Sequence, residues 1–110
     1  MEGRFTDMKE YNKLIRDRIP EILEDAGKDY ETTTVEGRDY LAALKDKLKE
    51  EVDEYREEED VEELADILEV IEALLDWHDI SREELEELRR EKRKERGGFA
   101  RGLYLLRAEE

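Results

Sequence analysis

Two neighbouring stretches of the sequence repeat large apolar residues every three or four positions, and only a short polar turn separates them. The first stretch contains Leu41, Leu44, Leu48, Val52 and Tyr55. The second contains Val61, Leu64, Ile67, Leu68, Ile71, Leu74 and Leu75. This spacing places the apolar side chains along one side of an α-helix in each stretch. Because the connection is short, the two predicted helices should pack antiparallel.

Capping and helix-ending residues predict where the helices begin and end. Asp60 is a suitable N-cap for the second apolar stretch, with Glu63 in the capping-box position three residues later. Pro20 suits the first position of an earlier helix that ends near Gly27. Ser81, with Glu84 behind it, should cap a last helix that runs to about residue 96 and has a strongly basic end.

Two further segments favour extended structure. Tyr30 to Val35 is rich in Thr, Tyr and Val, and Gly102 to Arg107 follows a Gly-Gly break. Neither segment could stand alone as a strand, so we expect the two to pair. The sequence therefore predicts an all-α antiparallel helical bundle with a small two-stranded β element. We expect a frayed tail at residues 1–10 and one domain over residues 11–110.

The charge balance limits the classes of partner. Half of the 110 residues are charged and the formal net charge is −15. This balance disfavours binding to a nucleic acid polymer or to an anionic membrane surface, and a cation is a better match. The absence of cysteine excludes disulfides and thiolate metal sites. No apolar run resembles a signal peptide or a transmembrane helix, so we expect a cytoplasmic protein.

Most of the acidic residues lie on the two central helices, where a solvated face is the ordinary explanation. At about 100° per residue, Asp53 falls opposite the apolar side of its helix, as a solvated residue should. Glu51 and Glu54 instead lie beside the apolar side. Glu63 and Asp66 have the same relation to the apolar side of the second helix, so the two acidic pairs can face each other across the hairpin.

Four carboxylates brought together at a partly buried site repel one another and lose hydration. A divalent cation would relieve both effects. Oxygen ligands suit Mg²⁺, Mn²⁺ or Ca²⁺, and the lack of nearby His or Cys argues against zinc.

The acidic residues also resemble a known signature. Residues 50–54 (EEVDE) and 63–66 (ELAD) look like the E-E-x-x-E … E-x-x-D motif of the all-α nucleotide pyrophosphohydrolases. That superfamily includes MazG proteins, dimeric dUTPases, dCTP pyrophosphatases and phosphoribosyl-ATP pyrophosphohydrolase. Residues 11–23 (YNKLIRDRIPEIL), 62–75 (EELADILEVIEALL) and 94–99 (KERGGF) resemble a short, single-domain MazG-like branch. The turn between the acidic helices is shorter than in many relatives.

The resemblance implies hydrolysis of a nucleoside triphosphate between its α and β phosphates, giving a monophosphate and pyrophosphate, in nucleotide-pool house-cleaning. It implies that Mg²⁺, or Mn²⁺ as a substitute, is held by Glu51, Glu54, Glu63 and Asp66. Glu50 and Glu51 would be the catalytic carboxylates, with Glu50 as an additional ligand or as the base that orients water.

Six basic residues, in the N-terminal block and around the Gly-Gly segment, are candidates for binding the triphosphate: Lys13, Arg16, Arg18, Lys94, Arg96 and Arg101. Ordinary surface ion pairing is the alternative for each of them. Two other functions stay open, namely a biosynthetic enzyme like phosphoribosyl-ATP pyrophosphohydrolase and a non-catalytic helical interaction or regulatory module. Apolar residues at the edge of the hairpin predict a homodimer or a homotetramer.

Overall fold

A computed structural model describes residues 8–110, and this part of the chain contains four α-helices and no strand. In chain order they are α1 (Ile19–Asp25), α2 (Gly37–Glu58), α3 (Val61–His78) and α4 (Arg82–Arg96). The all-α prediction is therefore confirmed for the described residues. No helix among them has both the length and the apolar character needed to cross a membrane.

The α2–α3 hairpin is the centre of the fold, and two contacts fix its direction. The rings of Tyr40 and Trp77 lie 6.2 Å apart between centroids. The carboxylates of Glu51 and Asp66 also meet across the hairpin. Moving from the first contact to the second takes eleven residues forward along α2 and eleven residues backward along α3, about three helical turns in each case. The two helices are therefore antiparallel, as their short connection predicts.

The turn between α2 and α3 consists of two residues. Glu59 adopts the left-handed conformation with φ 54°, and its amide still bonds to the carbonyl of Tyr55. Asp60 then caps α3, because its side chain accepts a hydrogen bond of 3.0 Å from the amide of Glu62. The predicted N-cap is confirmed.

The buried core is small and lies along the facing sides of the hairpin. Its apolar members are Leu41, Leu44, Val70 and Leu75. The apolar residues near the turn are more exposed to solvent, and Val61 is 75% exposed. The helical prediction from apolar spacing therefore holds, but only part of each apolar series is covered.

The outer helices begin and end where the capping residues predict. Pro20 lies in the first turn of α1, and Gly27 just beyond it has φ 70°. The Ser81 hydroxyl accepts a hydrogen bond of 3.1 Å from the amide of Glu84 at the start of α4. An ion pair between Arg82 and Glu72 links the start of α4 to α3.

The predicted two-stranded β element is not found in the described residues. The segments at 30–35 and 102–107 are not strands, and neither pairs with the other. Residues with extended preference form a strand only when a second backbone lies alongside to complete the hydrogen bonds. Leu103 to Leu106 have no such neighbour and are highly exposed. Of the predicted tail at residues 1–10, positions 1–7 lie outside the described residues and 8–10 are irregular.

Candidate metal centre

Helices α2 and α3 bring five carboxylates together beside the small core. Oxygens of Glu50, Glu51 and Glu54 lie within 4.8 Å of one another, and so do oxygens of Glu51, Glu63 and Asp66. Glu51 belongs to both groups and joins them into one acidic cluster, which we define as these five residues. The structure therefore brings together all four residues expected to ligate a metal, with Glu50 beside them.

Two oxygens of the acidic cluster are buried without a hydrogen-bond donor among the described residues: Oε2 of Glu51 and Oε2 of Glu63. Glu51 is the one charged residue of the described chain in the core, with 6% of its surface exposed. A buried polar atom that loses water and gains no partner costs free energy. A divalent cation with oxygen ligands would satisfy both atoms.

The crowding of carboxylates disfavours their ionised forms. Loss of hydration, contact with Glu54 and the charges of Glu54, Asp66 and Glu58 raise the pKa of Glu63 to about 7. Because ionised carboxylates only accept hydrogen bonds, the contact between Glu63 and Glu54 is a hydrogen bond only when one of them is protonated. Burial also raises the pKa of Glu51, with Lys47 opposing the shift.

Lysine side chains offset part of the negative charge at Glu50. The Lys13 ammonium lies 2.6 Å from one oxygen of Glu50, and Lys47 lies 3.0 Å from the other. Partial burial alone would raise the pKa of Glu50, but these hydrogen bonds outweigh burial and lower it. Glu50 is therefore held in its ionised form by the two lysines.

Sequence reasoning missed Lys47. Its Nζ also lies 3.3 Å from Oε1 of Glu51, and its side chain is 17% exposed. The same two carboxylates outweigh desolvation and raise its pKa, so it is a firmly held cation. The signal was its spacing, since Lys47 precedes Glu50 and Glu51 by three and four positions on one helix face.

The N-terminal segment crosses the acidic cluster and contributes a second cation there. Nη2 of Arg16 lies 2.6 Å from Oδ1 of Asp66. Lys13 and Arg16 thus contact residues 37 and 50 positions away in the chain. Two of the six basic residues predicted to bind phosphate are at the acidic cluster.

The other four basic candidates are elsewhere. Arg18 pairs with Glu21 at the start of α1, at 3.1 Å. The remaining three, at the end of α4 and beyond it, are exposed and form no ion pair or side-chain hydrogen bond with another described residue: Lys94, Arg96 and Arg101. In this chain alone they are not part of the acidic cluster.

No protein-family model, curated protein or solved structure matches this chain. What the acidic cluster does must therefore be inferred from its own residues.

Proposed function

We propose that this protein is a Mg²⁺-dependent nucleoside triphosphate pyrophosphohydrolase. It cleaves the bond between the α and β phosphates, releases a monophosphate and pyrophosphate, and acts in cytoplasmic nucleotide-pool house-cleaning as a homodimer or homotetramer. One observation carries the proposal: five carboxylates converge, with two buried oxygens lacking a donor, beside cations that reach them from the N-terminal segment.

The donor set supports Mg²⁺ as the metal. Glu51, Glu54, Glu63 and Asp66 offer only oxygen atoms, which hard divalent cations prefer, and Mn²⁺ could substitute. His78, the single histidine, lies at the far end of α3 from these residues. When bound, the ion would neutralise phosphate charge and lower the pKa of a water molecule.

The two catalytic carboxylates have different roles in this proposal. Glu51 is buried and shared by both halves of the acidic cluster, so it would act through the metal. Glu50 is held ionised by Lys13 and Lys47. A carboxylate with a lowered pKa is a weak base, which suits Glu50 to orienting the attacking water or to acting as an additional ligand.

Lys13 and Arg16 are the best-supported phosphate ligands. Both already lie at carboxylates of the acidic cluster, where the triphosphate would meet the metal. Once a metal neutralises those carboxylates, the ammonium and guanidinium groups become available to phosphate oxygens, and a guanidinium can bind two of them at once. Arg18, Lys94, Arg96 and Arg101 lack this support.

One observation favours a non-catalytic helical module instead. Lys13, Arg16 and Lys47 already form ion pairs with the acidic cluster, as in a purely structural charge network. The count of charged side chains weighs against a purely structural network, because three cations do not balance five carboxylates. Glu63 in particular has no basic partner among the described residues, and its pKa is raised instead of lowered. We therefore favour the metal-dependent enzyme.

Turnover with product analysis tests the proposal. The protein is incubated with canonical and damaged nucleoside triphosphates and with phosphoribosyl-ATP, in Mg²⁺ or in EDTA. We expect Mg²⁺-dependent release of pyrophosphate, reduced at least about a hundredfold by Glu51→Gln, since even the residues that support metal ligands are worth 10- to 100-fold. Asp53→Asn is the matched control, because Asp53 lies outside the acidic cluster and pairs with Lys49.

Each result has a distinct meaning. Cleavage of phosphoribosyl-ATP alone would assign the chemistry to a biosynthetic enzyme. Release of inorganic phosphate in place of pyrophosphate would contradict cleavage between the α and β phosphates. Absence of any turnover, with equal stability of the wild type and Glu51→Gln in Mg²⁺ and EDTA, would support the interaction module.

A further inference from the structure

Two apolar surfaces of the described chain are uncovered. The first is a face of α3 formed by Val61, Leu64 and Leu68, which recur at helical spacing and are 44–75% exposed. The second is the C-terminal arm, which we define as residues 97–107. Its large apolar side chains are 76–99% exposed: Phe99, Leu103, Tyr104, Leu105 and Leu106. Contiguous apolar surface of this kind is typical of an interaction site.

The overall dimensions show that much surface is left uncovered in a single copy. The chain exposes 10626 Å², against roughly 6,400 Å² for a compact monomer of this mass. The radius of gyration is 19.2 Å, against about 13 Å for a compact domain of this length. The excess area exceeds the roughly 800 Å² that each partner buries in a stable complex.

The two surfaces belong to segments of the chain with opposite charge. Residues 37–78, which form the hairpin, contain sixteen acidic and five basic residues, a formal charge of −11. Residues 89–107, the end of α4 and the arm, contain eight basic and two acidic residues, a formal charge of +6. Arg101 and Arg107 flank the apolar run of the arm, and Glu62 and Glu69 directly follow Val61 and Leu68 in the sequence of α3. Such complementarity favours association of arm and hairpin.

The apolar run of the arm and the exposed face of α3 also have similar lengths. Extended backbone from Leu103 to Leu106 spans about 10 Å. The helical rise from Val61 to Leu68 is likewise about 10 Å. The arm does not cover this face of its own hairpin in the structure, because the large apolar side chains of both surfaces stay exposed. In a single copy both apolar surfaces therefore remain without a covering partner among the described residues.

We propose that the C-terminal arm docks on the exposed α3 face of a second copy of this chain, with the two copies exchanging arms. The exchange is reciprocal, so each copy donates one arm and accepts one, and the assembly closes as a two-fold dimer. The apolar run of the arm covers Val61, Leu64 and Leu68 of the other copy. Arg101 and Arg107 then lie near the acidic hairpin of the other copy. This proposal holds whether or not the acidic cluster is catalytic.

Cross-linking between distinguishable copies tests this directly, because the chain has no cysteine of its own. Leu105→Cys is made in a chain with one tag and Leu68→Cys in a chain with another, and the mixture is treated with a short bis-maleimide. We expect a linked product that carries both tags. Glu83→Cys in place of Leu68→Cys is the control, since Glu83 is exposed on α4, away from the proposed acceptor face.

Sedimentation equilibrium supplies the second measurement. The wild type should be a dimer, and Leu103→Asp with Leu105→Asp should weaken it at least about thirtyfold, as for the loss of an interface hot spot. Ala100→Asp with Ala108→Asp is the matched control that adds the same charge without removing large apolar side chains. Circular dichroism verifies that helix content is unchanged in both variants.

Several outcomes would overturn the proposal. These are a monomeric wild type, a dimer that survives the leucine substitutions, and failure of the two-tag cross-link. Linkage only within one chain, in the Leu68→Cys and Leu105→Cys double variant at high dilution, would place the arm on its own hairpin. A complex formed only with some other protein would also refute it.

Discussion

At the scale of single residues, the charge state of Glu63 links the acidic cluster to stability. Its pKa is raised from 4.5 to about 7 in the folded, metal-free protein. The folded state therefore binds this proton more tightly than the unfolded state does. Stability from this group is present below the unfolded pKa and is lost as the pH rises toward the folded value. Burial raises the pKa of Glu51 as well, which acts in the same direction.

We therefore predict that the metal-free protein becomes less stable between pH 5 and about pH 7, and then levels off. Glu63→Gln should flatten this dependence and stabilise the metal-free protein at pH 8, because the amide carries no charge against Glu54 and Asp66. Urea unfolding in EDTA at several pH values measures both effects. Stability that rises through this range in the wild type would contradict the assignment.

Glu63 also shows how far single residues can be interpreted from sequence. Its position three residues after Asp60 fits a capping box, yet its side chain contacts Glu54 in the acidic cluster instead. The position of Glu63 in the sequence fits both a capping role and a place in the acidic cluster. Only the packing of α2 against α3 decides between the two roles. Lys47 was missed for a related reason, because a lysine one turn before two glutamates is ordinary in a helix with many ion pairs.

At the scale of helices, the tight turn of the hairpin holds a strained residue. Glu59 has φ 54°, a conformation that costs a residue with a side chain roughly 1–2 kcal/mol. Glycine adopts it without that cost but loses more entropy on folding. Glu59 is also an acidic residue at the C-terminal end of α2, where the helix dipole disfavours negative charge.

Replacing Glu59 with glycine should stabilise the protein by about 0.5–1 kcal/mol, the net of relieved strain and added chain entropy. The same change at Glu57, an exposed residue inside α2, should destabilise it by up to about 1 kcal/mol. Chemical denaturation of the two variants compares them at equal charge. If Glu59→Gly is as destabilising as Glu57→Gly, the left-handed turn is not a source of strain.

The helices were predictable because their signals are local. Apolar spacing, Asp60, Ser81 and Pro20 identify α1 to α4 to within a few residues. The predicted β element is not found in the described residues. Strand formation depends on a neighbouring backbone, and local preference cannot indicate whether one is present. Apolar character at 102–107 favours burial, yet these side chains are exposed in the single copy, and the proposed arm exchange would cover them.

At the scale of the whole molecule, the acidic cluster combines predictable and unpredictable parts. The sequence predicts that Glu51 and Glu54 face Glu63 and Asp66. This follows from the helical spacing of each pair and from the short connection, which makes the two helices antiparallel. The arrival of Lys13 and Arg16 depends on the path of an irregular segment, which no periodic pattern specifies. Lys94, Arg96 and Arg101 were grouped with them because they are basic and lie around the Gly-Gly segment, and the fold separates them from the acidic cluster.

Calorimetric titration of the metal-free protein with Mg²⁺ tests the central claim most directly, since every proposed role of the acidic cluster depends on a bound divalent cation. We predict saturable binding to the wild type, retained in Asp53→Asn and weakened at least about tenfold in Glu51→Gln. Binding should release protons near neutral pH, because Glu63 must ionise to become a ligand. Equal and negligible heats in all three proteins would contradict the metal centre and leave the acidic cluster as a charged face of the hairpin.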